Sequence, residues 1–274
     1  MTIQALAKVN LALRILARRP DGYHDIETLM VPISLADEID IEVGDGGGIE
    51  LECHEPGVPL GSENLVWRAI EAFQRLTGLR FCARIVLRKN IPHGAGLGGG
   101  SSDAAAVLKA LDQYHNTGLG HQKMEDLAAS LGSDTPFFIR CRPMLCRGRG
   151  ELMREAPAIQ SANLLLLKPP FPVSTGWAYQ AWKPRESDPG VRQFHGQIEL
   201  ANDLEAPTFN KFLLLPAIKS WLLEQDEVSA AMMSGSGSTL FAILRHDAGI
   251  LAQRAKSRFG PNLWTAETTL CLDH

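Results

Sequence analysis

No charge of one sign dominates this sequence. Its 27 Lys and Arg stand against 31 Asp and Glu, a net −4 with no basic block, so neither nucleic acid nor a membrane surface is an expected partner. Long apolar runs are missing too. Runs such as 164–167 and 212–215 fall far short of the ~20 residues that a membrane helix needs. Cysteine is sparse: Cys53, Cys82, Cys141, Cys146 and Cys271 are odd in number and form no C-x-x-C pair. That disfavours a disulfide framework and suggests a reduced, cytoplasmic chain. Residues 1–5 show no basic stretch before an apolar core, so no signal peptide is expected. No repeat and no low-complexity tract stands out. What remains suits a soluble globular enzyme: 274 residues, 45% hydrophobic and 21% charged, enough for two modest domains or one large one.

What the chain does have is glycine in one place. Residues 91–106 read Ile-Pro-His-Gly-Ala-Gly-Leu-Gly-Gly-Gly-Ser-Ser-Asp-Ala-Ala-Ala. Five glycines within seven residues let the backbone bring its N–H groups close to a ligand. The Val107–Leu111 stretch behind them reads as helix, and Ser101, Ser102 and Asp103 are good N-cap types. Strand, glycine loop and helix N-terminus in series aim free N–H groups and a positive dipole end at one spot, where a polyphosphate is the expected occupant. A dinucleotide fingerprint also fits Gly94, Gly96 and Gly99, but helix and loop follow where a strand with an acidic end is required. The P-loop pattern fails because Gly100 stands in place of its lysine. A mere surface turn is disfavoured by the entropy of ordering so many glycines.

Elsewhere the periodicities are plain. Every odd position from Ile3 to Ile15 is apolar, a period-two strand that puts Lys8 and Asn10 on one face about 7 Å apart. Pro20-Asp21-Gly22 is a turn presenting Tyr23 and His24. Strands are expected at 38–43 and 49–52, joined as a hairpin through Asp45–Gly48. A helix over 62–78 should bury Leu65, Ala69, Phe73 and Leu76, and 81–87 is the strand feeding the glycine loop. Arg88 and Lys89 at its end face a bound nucleotide or are ordinary strand-end charges. A helix near 123–131 is followed by Ser133-Asp134-Thr135-Pro136, where Asp134 is an N-cap or something more. The second half reads as strand 163–168, helix 176–182, an exposed insertion 183–196 and a helical region 202–225 broken at Pro216. Strand–turn–strand across 228–244, a helix and a last strand complete an α+β pattern. The boundary falls near 155–162.

Five segments now stand in order: Ala7-Lys8-Val9-Asn10-Leu11, Pro20 to His24, the glycine loop, Gly132 to Phe138, and Met233 to Ser238. The glycine loop resembles the phosphate-binding loop of the GHMP kinase superfamily. Together, over essentially the whole chain, the segments resemble the family of 4-diphosphocytidyl-2-C-methyl-D-erythritol kinases of the non-mevalonate isoprenoid route. The resemblance implies an α+β, two-domain fold: a ribosomal-protein-S5-like ATP-binding domain over 1–157 and a ferredoxin-like domain over 158–274, with the active site between them. It implies ATP and Mg²⁺ as cofactors and, as substrate, a cytidine diphosphate-linked methylerythritol phosphorylated on its 2-hydroxyl. Pro92, His93, Gly94, Ala95, Gly96, Leu97, Gly98, Gly99, Gly100, Ser101 and Ser102 would wrap the phosphates, and Gly235–Gly237 would close near them. Lys8 and Asp134 would be the catalytic pair. Asn10, Tyr23, His24, Thr175 and Tyr179 would bind the substrate, with the base between Tyr23 and Tyr179. No residue is assigned to magnesium, and the protein is expected as a monomer or weak homodimer. The sequence departs from the usual pattern at His93, Ser133, Thr135 and Ser238, none of which removes a catalytic group. Two rival readings remain: a related kinase acting on homoserine, mevalonate or a sugar, and a nucleotide-binding regulator without catalysis. The regulator should lack the lysine or the aspartate, and both are present.

Overall fold

The computed structural model describes residues 1–184 and 192–272, so 185–191 of the expected insertion lie outside the described residues. Contacts divide the chain into two compact units that interleave along the sequence. One comprises Met1–Ala7, Ala36–His93 and Gly98–Arg142; the other comprises Lys8–Leu35, Gly94–Leu97 and the chain from Pro143 on.

In the first unit begins β1 (Thr2–Arg18) and ends β2 (His24–Gly44). The odd positions of β1 are buried from Ala5 to Ile15, as its alternation requires. Then come β3 (Gly48–Cys53), α1 (Leu65–Thr77) and β4 (Cys82–Arg88). The expected hairpin between β2 and β3 does not form. β4 lies between them, antiparallel to β2 from Glu38↔Arg88 to Gly44↔Cys82 and parallel to β3 from Gly48↔Cys82 to Cys53↔Leu87. A parallel pair needs a crossover, and α1 provides it while burying its own apolar face. That face is Val66, Ala69, Ile70 and Phe73. The expected Leu76 is 48% exposed. Asn64 caps α1 by accepting from Val66 N, and Gly78 ends it at φ 72°. Three helices follow: α2 (Gly99–His115), α3 (His121–Ala129) and α4 (Thr135–Arg140).

The second unit carries the hairpin β5 (Met144–Gly148) and β6 (Leu152–Glu155), with β5 paired antiparallel to the first half of β2. It continues with β7 (Asn163–Lys168), α5 (Thr175–Ala181), β8 (Gln193–His195) and β9 (Ile198–Asn202). Next are α6 (Glu205–Lys211), α7 (Leu214–Leu223), β10 (Val228–Met233), β11 (Leu240–Leu244), α8 (Leu251–Phe259) and β12 (Trp264–Thr269). β9 runs parallel to β1 at Ala12↔Ala201. A four-stranded antiparallel sheet has the order β10-β11-β7-β12. Numbered along the chain, that is 4-1-3-2 read from the β12 edge, the ferredoxin-like arrangement expected. Its core joins Leu165 and Leu167 to Ile218, Leu222, Met233, Leu240, Leu251 and Ala255. The helical region breaks at Phe212 and Leu213, not at Pro216. Pro216 sits in the first turn of α7, where its missing N–H costs no helical bond.

Candidate active site

The glycine loop is shaped by backbone that only glycine holds easily. Gly94, Gly96 and Gly98 have φ of 62°, 76° and 75° at alternate positions, which turns successive amides toward one side. Gly98 is the N-cap of α2, and the first bond of the helix runs from Ser102 N to Gly98 O at 2.9 Å. Ser101, Ser102 and Asp103, expected as caps, lie instead inside the helix, the serines in its first turn and Asp103 just beyond it, because the chain arrives in a left-handed conformation those residues avoid. Ser102 Oγ donates to Leu6 O at 2.6 Å. The amides of Gly99, Gly100 and Ser101 precede the first helical bond and mark the positive end of a 17-residue helix.

In the second unit the middle of that loop meets Lys8. Its backbone N–H donates to Leu97 O at 3.0 Å, and its ammonium donates to Gly96 O at 3.0 Å and to Asn10 Oδ1 at 2.6 Å. Lys8 and Asn10 are 3% and 2% exposed, so the strand face that reads as polar is a buried one. Asn10 Nδ2 donates to Thr28 Oγ1 at 2.8 Å, and Thr28 donates onward to Ala12 O at 2.7 Å. Thr28 therefore fixes which end of the Asn10 amide faces Lys8. The turn between β10 and β11 lies over the same atoms. Ser234 Oγ donates to Gly96 O at 3.0 Å. A Cβ on Gly235 would sit 3.4 Å from Lys8 Nζ, and one on Gly96 would sit 2.2 Å from Ser234 O. Asn202 holds that turn by donating to Met233 O at 2.7 Å and Gly235 O at 2.8 Å, while Glu205 accepts from Met233 N at 2.9 Å. Thr175 Oγ1 and Ser236 Oγ are 3.0 Å apart.

An aromatic group belongs to the same unit. His24 is buried, stacked on Tyr179 at 5.5 Å between centroids and edge-on to Trp182 at 5.8 Å. Burial, helped by Arg18, holds the His24 pKa below the ordinary histidine value. Tyr23 is 52% exposed, with the Arg149 guanidinium 4.9 Å from its ring centroid. His24 rather than Tyr23 thus faces Tyr179.

In the first unit, Asp134 is the N-cap residue of α4 by position, yet its side chain makes no cap bond. Gly132, just before it, is close to the loop's serine: a Cβ there would lie 3.2 Å from Thr135 Oγ1 and 3.8 Å from Ser101 Oγ. Arg88 is half exposed and paired with Glu38 and Asp40, an ordinary surface network. Lys89 is buried between Asp37 and Asp103. Among the described residues, no group of three or more His, Cys, Asp and Glu could hold a metal ion.

The sequence pointed to Lys8, Asn10, the loop and the Gly235 turn, and the second unit brings these together. It did not point to Thr28, Asn202, Glu205, Asp37 or Asp103 in these roles. Each acts on a partner 14 to 54 residues away. The one available signal was chemical: a threonine and an asparagine inside otherwise apolar strands need partners when buried.

Comparison with known proteins gives the family. A profile of the GHMP kinases N terminal domain matches residues 64–142, and one of the GHMP kinases C terminal matches 190–262. A 4-diphosphocytidyl-2-C-methyl-D-erythritol kinase of Methylacidiphilum infernorum is 41% identical over 95% of this chain and 93% of its own. A crystal structure of 4-(cytidine 5'-diphospho)-2C-methyl-D-erythritol kinase superposes with a TM-score of 0.81 at 34% identity, covering 98% of this chain and 99% of that one. The homoserine kinase of Cytophaga hutchinsonii shares the fold, with a TM-score of 0.71 over 99% of this chain and 95% of its own, at 16% identity.

Proposed function

We propose, for a chain that belongs to the GHMP kinase superfamily and within it to the family of 4-diphosphocytidyl-2-C-methyl-D-erythritol kinases, that it transfers the γ-phosphoryl group of ATP to the 2-hydroxyl of that cytidyl substrate. The observation that carries this reading is the buried Lys8 ammonium held on the Gly96 carbonyl of the glycine loop. A cation fixed there neutralises charge on a terminal phosphate without having to be ordered at the moment of reaction.

Phosphoryl transfer passes through a loose transition state, so position and charge neutralisation count for more than base strength. Lys8 and Asp134 are the proposed catalytic pair. Lys8 offsets γ-phosphate charge, and Asp134 orients the acceptor hydroxyl and takes its proton late. Residues 92–102 hold the phosphates through their amides and the two serines. Asn10 and Thr175 contact the acceptor, and Tyr23, His24 and Tyr179 receive the cytosine. The His24–Tyr179 stack supports a flat ring being bound beside it. The division at 157/158 belongs to the same proposal, and the two family profiles fall on either side of it.

Magnesium fits as a companion of the nucleotide. Mg²⁺ is commonly held by substrate phosphates, waters and one or two protein oxygens rather than by an all-protein cage. Bound with the nucleotide, it would neutralise phosphate charge, and Asp134 would be the protein oxygen donor offered to it. The proposed setting is cytoplasmic, as a monomer or weak homodimer, with no nucleic acid or membrane partner; no helix among the described residues is long and apolar enough to cross a membrane.

ADP release coupled to a chromogenic reaction, run across the cytidyl substrate, homoserine, mevalonate and galactose, tests the reading. The cytidyl substrate should give the highest kcat/KM by orders of magnitude. Comparable turnover of another acceptor would reassign the substrate, and nucleotide binding without ADP release on any acceptor would favour a regulator.

A further inference from the structure

Three charged side chains are buried together at the foot of the glycine loop. The side chains of Asp37, Lys89 and Asp103 are 0%, 6% and 4% exposed. Lys89 stands just before the loop and Asp103 just after it, and the Lys89 ammonium donates to Asp103 Oδ2 at 2.5 Å. The same ammonium donates to Asp37 Oδ2 through a short bond. Asp37 Oδ1 accepts the backbone N–H groups of Asn90 at 2.6 Å and Ile91 at 2.8 Å, the first residues of the loop. One ammonium therefore joins the two ends of the loop, and one carboxylate fixes the direction in which the loop starts. The cluster also touches the phosphate-facing backbone. A Cβ on Gly99 would lie 3.4 Å from Lys89 Nζ.

We propose that Asp37, Lys89 and Asp103 are positioning residues for this loop, and that the charge they carry sets how tightly the loop holds a polyphosphate. This rests on the reading of the loop as the ATP site.

The charges do not balance. Two carboxylates face one ammonium with all three side chains buried, and an uncompensated buried charge is costly. Asp37 accepts two backbone N–H bonds, whereas Asp103 Oδ1 is buried with no hydrogen-bond partner. Asp103 is thus the carboxyl that takes up a proton. Its pKa is pushed up to about 7, by burial first and by Asp37 as well, against the opposing pull of Lys89. Lys89 stays charged, because the two carboxylates outweigh the burial that opposes it. Those two are the charged groups that act on Asp103; α1, packed against α2, faces the same turn with the apolar Leu65. With Asp103 protonated the cluster is neutral, and with Asp103 ionised it carries −1 beside the loop. A triphosphate therefore binds best below the Asp103 pKa and more weakly above it, and bound ATP favours the proton on Asp103 by the same linkage.

The test compares the full-length protein with Asp103→Asn, which keeps the shape and fixes the cluster as neutral. ATP affinity is measured by calorimetry from pH 6 to 8.5, so it does not depend on turnover. The nucleotide's own titration is common to both proteins. The wild-type Kd should rise with pH by on the order of 3- to 10-fold more than the variant's, an effect that shrinks as salt is added. Parallel pH profiles in the two proteins overturn the proposal. Lys89→Gln provides the second measurement: the KM for ATP should rise while the acceptor KM does not, and an equal rise in both overturns it. Should Lys89→Gln fail to fold, the calorimetric comparison decides alone. Absence of ADP release by the wild type would strike the kinase reading only, since the affinity profile is read without catalysis.

Discussion

Lys8 is held by what Asn10 presents to it, and Asn10 is held by Thr28. If the Asn10 amide turned over, an NH₂ group would face the ammonium. The Thr28 hydroxyl prevents this by accepting from Nδ2 at 2.8 Å while donating to Ala12 O. Thr28→Val keeps the volume and removes the acceptor, leaving a buried donor whose desolvation costs about 1–3 kcal/mol. We expect kcat to fall on the order of tenfold with the KM for ATP little changed, and Thr28→Ser to restore it. Steady-state kinetics on the three proteins checks this. Asp134→Asn should lower kcat by about 10²- to 10⁴-fold, the usual loss for a positioned acid–base group, with ATP affinity nearly intact. Rapid-quench measurement of the chemical step checks it, and wild-type turnover would remove Asp134 from the mechanism. At this scale, legibility depended on sequence spacing. Lys8 and Asn10 stood two apart on one strand, so their common face could be read directly. Thr28 lies 18 residues from Asn10 and Asp37 lies 52 from Lys89, and only the folded pairing of strands brings them together.

The elements divide in the same way. Strands with period two and the helix over the Ala/Val/Leu run were legible because burial follows periodicity. The β2–β3 hairpin was misread because a glycine turn looks the same whether the next strand pairs beside it or one place further on. What decided the pairing was the β3–α1–β4 crossover, a tertiary fact. The loop and the β10–β11 turn then act as one device, since each leaves room only for the other's backbone. Gly96→Ala would force a methyl to within 2.2 Å of Ser234 O at a φ of 76°, so we expect a loss of stability of more than about 2 kcal/mol together with loss of ATP binding. Gly100→Ala places its methyl 3.7 Å from Leu65 Cδ1 and should keep the fold. Thermal unfolding of both separates them. The buried cluster adds a pH signature. Asp103 titrates higher in the folded chain, near 7, than its ordinary value of 3.8. Between those values the folded state binds more protons than the unfolded state, so this group's contribution to stability falls as pH rises through the window. The wild-type Tm should therefore drop relative to Asp103→Asn between pH 4 and 7 and run parallel to it above. A constant offset across that range would contradict the assignment.

For the whole molecule, two units interleave along the chain, with β1 and β2 each contributing to both. The proposed contiguous cut at 157/158 lies between the two family profiles, whereas the contact-based units interleave. Composition gives no reason to expect a charged partner surface. The acceptor is the property that fold cannot supply, because a homoserine kinase shares this architecture at 16% identity. The proposed source of specificity is the aromatic group of His24, Tyr179 and Trp182. The position of transfer is read from the ³¹P spectrum of the product formed with ATP and the cytidyl substrate. Carbon 2 of the methylerythritol unit bears a methyl group and no hydrogen, so a phosphate on its oxygen gives a monoester resonance without coupling to a proton on the adjoining carbon. That uncoupled singlet, appearing in step with ADP, is the expected result. A doublet or triplet would place the phosphate on a secondary or primary hydroxyl and contradict the account, as would ADP formed with no new monoester.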